Sequence, residues 1–464
     1  MLRARTAIRP FHEQLSASIL PSDGQAISAY PLIHWERTIR RPTSLLAIVL
    51  AAAAIALLTL RTGVPPKATD VVPPWSCLVC GGGGGADALL NVALFIPLGA
   101  ALVSAGLGVS RALLVSLVAS TLIEVAQATI VDYRYPALGD VVWNSLGGVT
   151  GALGITRWRQ LLLPDPRRAA RQAWGALVGA AVVVAITVFA FRPIVPMGHY
   201  RIREFDRCVP PVVDRGPWLT DFRYGDVLVR RGDAVPAATL RDEWDGGQLR
   251  VTGRTNPGSC EDILSLVSSA SGVPDEVAGM SRGLTSVSFR VRLRAIDLRL
   301  RQPWVSVPLD YVALYGSASA PVEGRYGRGR LSVGYDGRNG QHRSELLLSA
   351  GLGWALLYPF ADALRLKSSW MNFVWICLLT LPIGYFMFAS LMGGVPRAHE
   401  TPRHGTRDVV ARVALVAAVM ALSGIVAVGH VVPLEIAAAL CGMIVGAGIH
   451  QMVRGVAETW SAAA

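Results

Sequence analysis

Residues 87–154, DALLNVALFIPLGAALVSAGLGVSRALLVSLVASTLIEVAQATIVDYRYPALGDVVWNSLGGVTGALG, hold three apolar segments of helical length. Each carries carboxylates or carboxamides that a membrane helix normally excludes: Asp87 and Asn91, then Glu124 and Gln127, then Asp140 and Asn144. An ionisable group at membrane depth costs at least ~2.5 kcal/mol, so each of these residues calls for a functional explanation.

The composition around this stretch is that of a membrane protein. Of 464 residues 52% are hydrophobic and only 16% charged, and the mean hydropathy is +0.42. Soluble domains carry roughly a quarter charged residues, which excludes an ordinary soluble protein. The formal charge is +12, and the cations are Arg apart from Lys67 and Lys367. In a multi-span chain such an excess belongs to cytoplasmic loops under the positive-inside rule. Nothing resembles a P-loop, a dinucleotide fingerprint or a nucleic-acid motif, so neither a cofactor nor a nucleic-acid partner is expected.

Working outward, residues 1–43 are polar, without periodicity, and read as a mostly disordered cytoplasmic tail. The first span is Ser44–Leu60, followed by a Pro- and Gly-rich loop with Cys77, Cys80 and the run Gly81–Gly85. A zinc site needs two more ligands near such a CxxC, and none follows, which leaves a local disulfide or two free thiols. Further spans are expected at about 88–104, 112–131, 138–155 and 173–191, completing a five-helix membrane module over 44–192. A C-terminal segment, 368–464, adds three more at about 371–393, 409–429 and 432–453. The apolar, aromatic but short Gly351–Leu364 reads as interfacial.

Residues 193–367 differ: apolar runs are short, charges of both signs appear, and turn signals recur. Val287, Phe289, Val291 and Leu293 alternate with Arg290, Arg292 and Arg294, a period of two that predicts a half-buried strand. Several such strands predict a β-sandwich. The Arg stripe is read as a solvated sheet face, with an anionic polymer as its candidate partner. The fold class expected is therefore a membrane all-α bundle of about eight transmembrane helices with an inserted all-β extracytoplasmic sandwich.

The arginines near the span ends fix an orientation. The tail, the 157–171 loop and the 397–412 loop are basic, so eight spans with both termini inside place all three in the cytoplasm. The β domain and the CxxC loop then lie outside, where Cys208 and Cys260 are a second candidate disulfide. Asp87/Asn91 and Asp140/Asn144 are i, i+4 pairs and Glu124/Gln127 is i, i+3, so each pair shares a helix face. At about 1.5 Å rise per residue all three faces lie near the outer surface, with Arg134 in the loop between two of them. A functional cleft and interhelical structural contacts are the two readings.

Asn91–Gly99 (NVALFIPLG), Ile123–Gln127 (IEVAQ) and Arg134–Gly148 (RYPALGDVVWNSLGG) together resemble the VanZ-like family, in order, spacing and polar residues. The resemblance covers about residues 75–156. It implies a small multi-span module named for a protein that lowers susceptibility to the glycopeptide teicoplanin, and by position it carries over Asn91, Glu124, Gln127, Arg134, Asp140 and Asn144. The β region, chiefly 284–350, resembles more loosely the concanavalin-like (LamG) jelly roll inserted in some VanZ-like proteins.

The function expected is that of a bacterial cytoplasmic-membrane protein of the cell envelope. Its outward cleft binds or modifies an amphiphilic envelope molecule or glycopeptide antibiotic, with membrane lipid or envelope glycan as partner and the β domain contacting glycan. Glu124 and Asp140 are the catalytic acid–base candidates, because desolvation favours a protonated carboxyl. Asp87, Asn91, Gln127, Arg134 and Asn144 are the binding candidates, with no metal ligands. The alternative is a non-enzymatic scaffold that displays a glycan- or protein-binding β domain. A transporter fits less well, since the polar groups crowd one side of the membrane and no inverted repeat is visible.

Overall fold

The computed structural model describes residues 30–62, 74–81, 83–206, 219–230, 233–245, 248–255, 262–268, 276–282, 286–308, 321–337, 340–358, 368–392 and 403–462. The first helices are α1 (Tyr30–Thr59), α2 (Gly84–Ser104), α3 (Val109–Thr129), α4 (Leu138–Thr156), the short α5 (Trp158–Leu162) and α6 (Pro166–Ala190). After the β region, which contains α7 (Ala237–Asp245), come α8 (Ser368–Met392), α9 (Arg403–Val428) and α10 (Pro433–Ala462). Helix α1 starts inside the segment expected to be an unstructured tail, of which residues 1–29 lie outside the described residues.

Seven of these helices, α1, α2, α3, α6, α8, α9 and α10, are long and apolar enough to cross a membrane. The 21 residues of α2 extend about 30 Å, the thickness of a hydrocarbon core. Leu46 and Leu50 of α1, Leu122 of α3, Val178 of α6 and Ile444 of α10 point outward and are exposed, as lipid-facing side chains are. The chain is a multi-pass membrane protein: a helical membrane domain joined to a β domain. Eight spans were expected, and α4 is the one not apolar enough to be counted with the seven. Asp140 and Asn144, together with its several glycines, dilute its apolar content.

Helix α4 nevertheless packs inside the bundle, against α2 and α3. Its glycines explain how. A Cβ on Gly147 would strike the Val92 carbonyl, one on Gly151 the Ile96 carbonyl, and one on Gly99 of α2 the Gly148 carbonyl. Backbones that close exclude any larger side chain, the small-residue packing usual between membrane helices. Helices α8 and α10 close in the same manner: Gly442 faces the Cys377 carbonyl, Gly446 the Leu381 carbonyl, and Gly384 the Met443 carbonyl. Helix α6 starts on a side-chain cap, with Asp165 accepting from the Arg168 backbone N–H at 2.9 Å and Pro166 at the first helical position.

The β region contains β1 (His199–Asp206), β2 (Leu219–Tyr224), β3 (Val227–Leu228), β4 (Val235–Pro236), β5 (Gln248–Thr255), β6 (Asp262–Ser268), β7 (Glu276–Arg282), β8 (Ser286–Val291), β9 (Val305–Pro308), β10 (Pro321–Gly327), β11 (Arg330–Gly337) and β12 (Gly340–Leu347). They form two antiparallel six-stranded sheets, ordered β4-β1-β6-β7-β8-β9 and β12-β11-β10-β5-β2-β3. Val287, Phe289 and Val291 of the first sheet and Val251, Leu331 and Val333 of the second belong to one buried cluster. Ala86, Ala190 and Phe191, from the ends of α2 and α6, belong to it as well. The β domain therefore has no core separate from the helices that carry it.

The alternation in 287–294 is real on its apolar side, since Val287, Phe289, Val291 and Leu293 are all fully buried. The arginine side departs from a solvated face. Strand β8 ends at Val291, and Arg292, only 8% exposed, lies against Asp297 at 3.4 Å. Arg294 sits 5.0 Å over the Phe189 ring of α6. On the other sheet Glu323 collects three arginines: Arg325 at 2.7 Å, Arg343 at 3.7 Å, and Arg250. Arg250 and Arg325 are direct cross-strand partners, and Glu323 offsets their repulsion.

A 3₁₀ helix, Ala350–Leu356, connects β12 toward α8 and is almost wholly buried. It occupies the first half of the segment expected at the interface, whose residues 359–364 lie outside the described residues. Cys77 and Cys80 are joined in a disulfide, while Cys208 and Cys260 lie outside the described residues.

Candidate functional site

The site assembles from helix ends. Helix α1 finishes at Thr59, α2 begins at Gly84, α3 finishes at Thr129 and α4 begins at Leu138, so these four termini meet on the side of the bundle that carries the β domain. Between them opens a cleft of about 630 Å³. Asp87, Asn91, Glu124, Gln127, Arg134, Asp140 and Asn144 all line it. Three helices, with the loop between α3 and α4 that carries Arg134, thus bring every one of the singled-out polar residues to one cavity.

Hydrogen bonds tie these side chains to one another and to helix ends. Asn91 Nδ2 donates to Asp140 Oδ1 at 2.7 Å, linking α2 to α4. Asn144 Nδ2 donates to Ser120 Oγ at 2.9 Å, linking α4 to α3. Glu124 Oε2 accepts from the Ala137 backbone N–H at 2.7 Å, which fastens the residue just before α4. Gln127 Nε2 donates to the Thr59 carbonyl at 2.9 Å, satisfying one of the carbonyls that the last turn of α1 leaves unpaired. Arg134 is exposed at the mouth and donates to the Arg61 carbonyl at 3.3 Å.

Part of this network has a structural role, as the interhelical reading expected. Part of its capacity is unused. Glu124 is 7% exposed and Asn144 2%, and Asn144 Oδ1 has no hydrogen-bond partner among the described residues. A buried acceptor left without a donor costs about 1–3 kcal/mol, so a ligand or water that supplies a donor there is stabilised.

Residues not foreseen from the sequence complete the wall. Arg301, from the loop after β8, donates to Asp87 Oδ1 at 2.7 Å, and Tyr358 reaches the same cavity. The neighbouring Arg299 donates to the Val79 carbonyl at 2.7 Å, while its own carbonyl accepts from the Gly85 N–H at 2.8 Å. The disulfide loop is the other rim. The Leu138 N–H donates to the Trp75 carbonyl, the Gly139 N–H to the Cys77 carbonyl, and Trp143 Nε1 to the Leu78 carbonyl. Gly139 is required there, because a Cβ would collide with the Leu78 carbonyl.

Chemically, the cavity offers carboxylates and carboxamides at its base, guanidinium groups at its rim, and aliphatic walls from Leu58, Leu90, Leu94 and Ile123. That is a surface for a molecule polar at one end and apolar at the other. Among the described residues no three His, Cys, Asp or Glu side chains converge as a metal site requires.

No curated protein and no solved structure matches this chain. The model of the VanZ/LLP1 family matches residues 31–159, and that range runs from the first turn of α1 to just past the end of α4, enclosing all seven singled-out residues of the cleft.

Proposed function

We propose that the chain is a cell-envelope membrane protein whose cleft binds an amphiphilic envelope molecule, a membrane lipid or a glycopeptide among the candidates, at the outer face of a bacterial cytoplasmic membrane. The observation that carries this reading is the convergence of four helix ends on one cavity that is polar at its base, cationic at its rim and aliphatic along its walls. Both termini are assigned to the cytoplasm, because the basic 157–171 segment lies between α4 and α6, at the bundle end away from the cleft. In this reading Asp140 and Glu124 contact the polar group of the ligand and are the residues able to exchange a proton with it. Arg134 and Arg301 hold an anionic substituent. The two sheets, read as a sandwich, cover the cleft and contribute the glycan-facing surface.

The scaffold alternative treats the bundle as a mount for the β domain. It is the weaker reading, because Arg301 of that domain reaches into the cleft and bonds Asp87. The test is native mass spectrometry of the full chain released from lipid nanodiscs. A retained amphiphile in the wild type, lost in Glu124→Leu and Asp140→Leu, supports the reading. Equal retention in all three chains rejects it.

A further inference from the structure

The helices after the β domain repeat those before it. Helix α2 carries Phe95-Ile-Pro-Leu-Gly99 and α8 carries Thr380-Leu-Pro-Ile-Gly384, each with its proline inside the helix. The close contacts then correspond one by one. Gly147 meets Val92 and Phe95, and Gly442 meets Cys377 and Thr380. Gly151 meets Ile96 and Ala100, and Gly446 meets Leu381 and Tyr385. Gly99 meets Gly148, and Gly384 meets Met443. A single shift in numbering maps α2 onto α8 in all of these, and a second single shift maps α4 onto α10. Helices α1 and α6 both run toward the β domain, so the two modules point the same way, as parallel repeats do.

The same shifts place Asn372 where Asp87 stands and Glu435 where Asp140 stands. They replace Asn91 by Ile376 and Asn144 by Ala439, both fully buried. The second cleft has thus kept one acid, Glu435, exchanged the other for the carboxamide of Asn372, and lost the two carboxamides that lie one turn further in. It is also occupied. The 3₁₀ helix lies in it: the Gly351 N–H donates to Glu435 Oε1 at 2.6 Å, and Trp354 Nε1 donates to Asn372 Oδ1 at 2.8 Å. Ala350 joins Ile376 and Ala439 in one buried cluster, and the space left beside Ser369, Asn372 and Glu435 is about 310 Å³, half that of the first cleft.

We infer that α1–α4 and α6 with α8–α10 are two copies of one module, and that Ser349–Leu356 fills the second cleft as a stand-in for the ligand of the first. The ligand class is then a peptide-like amphiphile, presenting an amide N–H to Asp140 and a second N–H donor, carried on an apolar group as in the Trp354 indole, toward Asp87. This rests on the proposed binding role of the first cleft and narrows it. The plug shows why an N–H donor suits the site: a carboxylate withdrawn from water is stabilised by a donor that enters with its own apolar covering.

The test uses a fluorophore-labelled, terminally blocked octapeptide of the plug sequence, SAGLGWAL, titrated onto the full chain in phosphatidylcholine nanodiscs and read by anisotropy. Saturable binding is expected, weakened at least tenfold by Asp140→Leu and by N-methylation of the peptide residue that corresponds to Gly351. The N-methyl arm needs only wild-type protein, so it decides even if the variant fails to fold. No saturable binding, equal binding of the N-methyl peptide, or binding that depends on Glu435 and not on Asp140 overturns the inference. If the peptide fails while the wild type still retains a lipid that Asp140→Leu loses, the mimicry falls and the cleft reading stands.

Discussion

Arg301 donates to the Asp87 carboxylate across 214 residues of chain, so the β domain and the first turn of α2 share one wall of the cleft. The two side chains are 35% and 47% exposed, which places the pair among the weaker ion pairs. A double-mutant cycle on Arg301→Ala and Asp87→Ala should return a coupling of about 0.5–1 kcal/mol that shrinks in high salt. Thermal unfolding in detergent reads it. Coupling indistinguishable from zero at low salt counts against the pair as a tie between domains.

Glycine positions in α4 and nearby should differ sharply in tolerance. At Gly151 an added Cβ meets the Ile96 backbone carbonyl, which can yield only by separating α2 from α4. Gly151→Ala should destabilise by about 1–3 kcal/mol, the usual cost of overpacking. Gly154, three residues on, has nothing within 4 Å of such a Cβ. There Gly154→Ala should be neutral or stabilise by up to about 1 kcal/mol through helix propensity. Comparing the two unfolding midpoints checks the packing directly.

Asn91→Ala should remove the side-chain donor to the Asp140 carboxylate while leaving that half-buried carboxylate in place. The expected loss is about 1–3 kcal/mol of stability, larger than for an exposed amide. Asn91→Asp should be worse, since it sets two carboxylates against each other. An Asn91→Asp chain as stable as the wild type would mean that α2 and α4 are not held by this contact.

Glu323 predicts an acid-sensitive β domain. Burial pushes its carboxyl upward, but the hydrogen bonds from Arg325 and Arg250 outweigh that and hold it below the ordinary value of 4.5. A depressed folded-state value means that its contribution is fully present above the unfolded value and is lost as pH falls through the folded one. The difference in unfolding midpoint between wild type and Glu323→Gln should be constant at neutral pH and shrink below about pH 4.5. A difference independent of pH would assign the effect to packing alone.

Much of the cleft was legible because polar residues inside apolar helices are expensive and therefore stand out. Asn91, Glu124 and Asp140 could be placed at one depth by counting residues along the spans. Arg301 left no such mark, since an arginine in a loop-rich, charged region is unremarkable until the chain folds back, and Tyr358 lay in a segment whose apolar, aromatic composition pointed only to an interface. The same cost that exposed Asp140 and Asn144 kept α4 below the apolarity of the other spans. The Arg292 side chain was misread as solvated because alternation was extended past Val291, where the strand ends and the backbone turns. The repeat of α2 in α8 was hidden because its signature survives only in a proline and a few glycines, positions fixed by backbone contact and not by side-chain chemistry.

Ala86 and Phe191, buried in the same cluster as Phe289, make the β domain a lever with no hinge at its base. A tethered domain could swing freely on its linkers while the bundle stood still. Here a load on the outer sheets has to pass into the first turn of α2 and the last turn of α6. Because α2 also carries Asp87 and Asn91, a displacement of the β domain is passed directly to one wall of the cavity below.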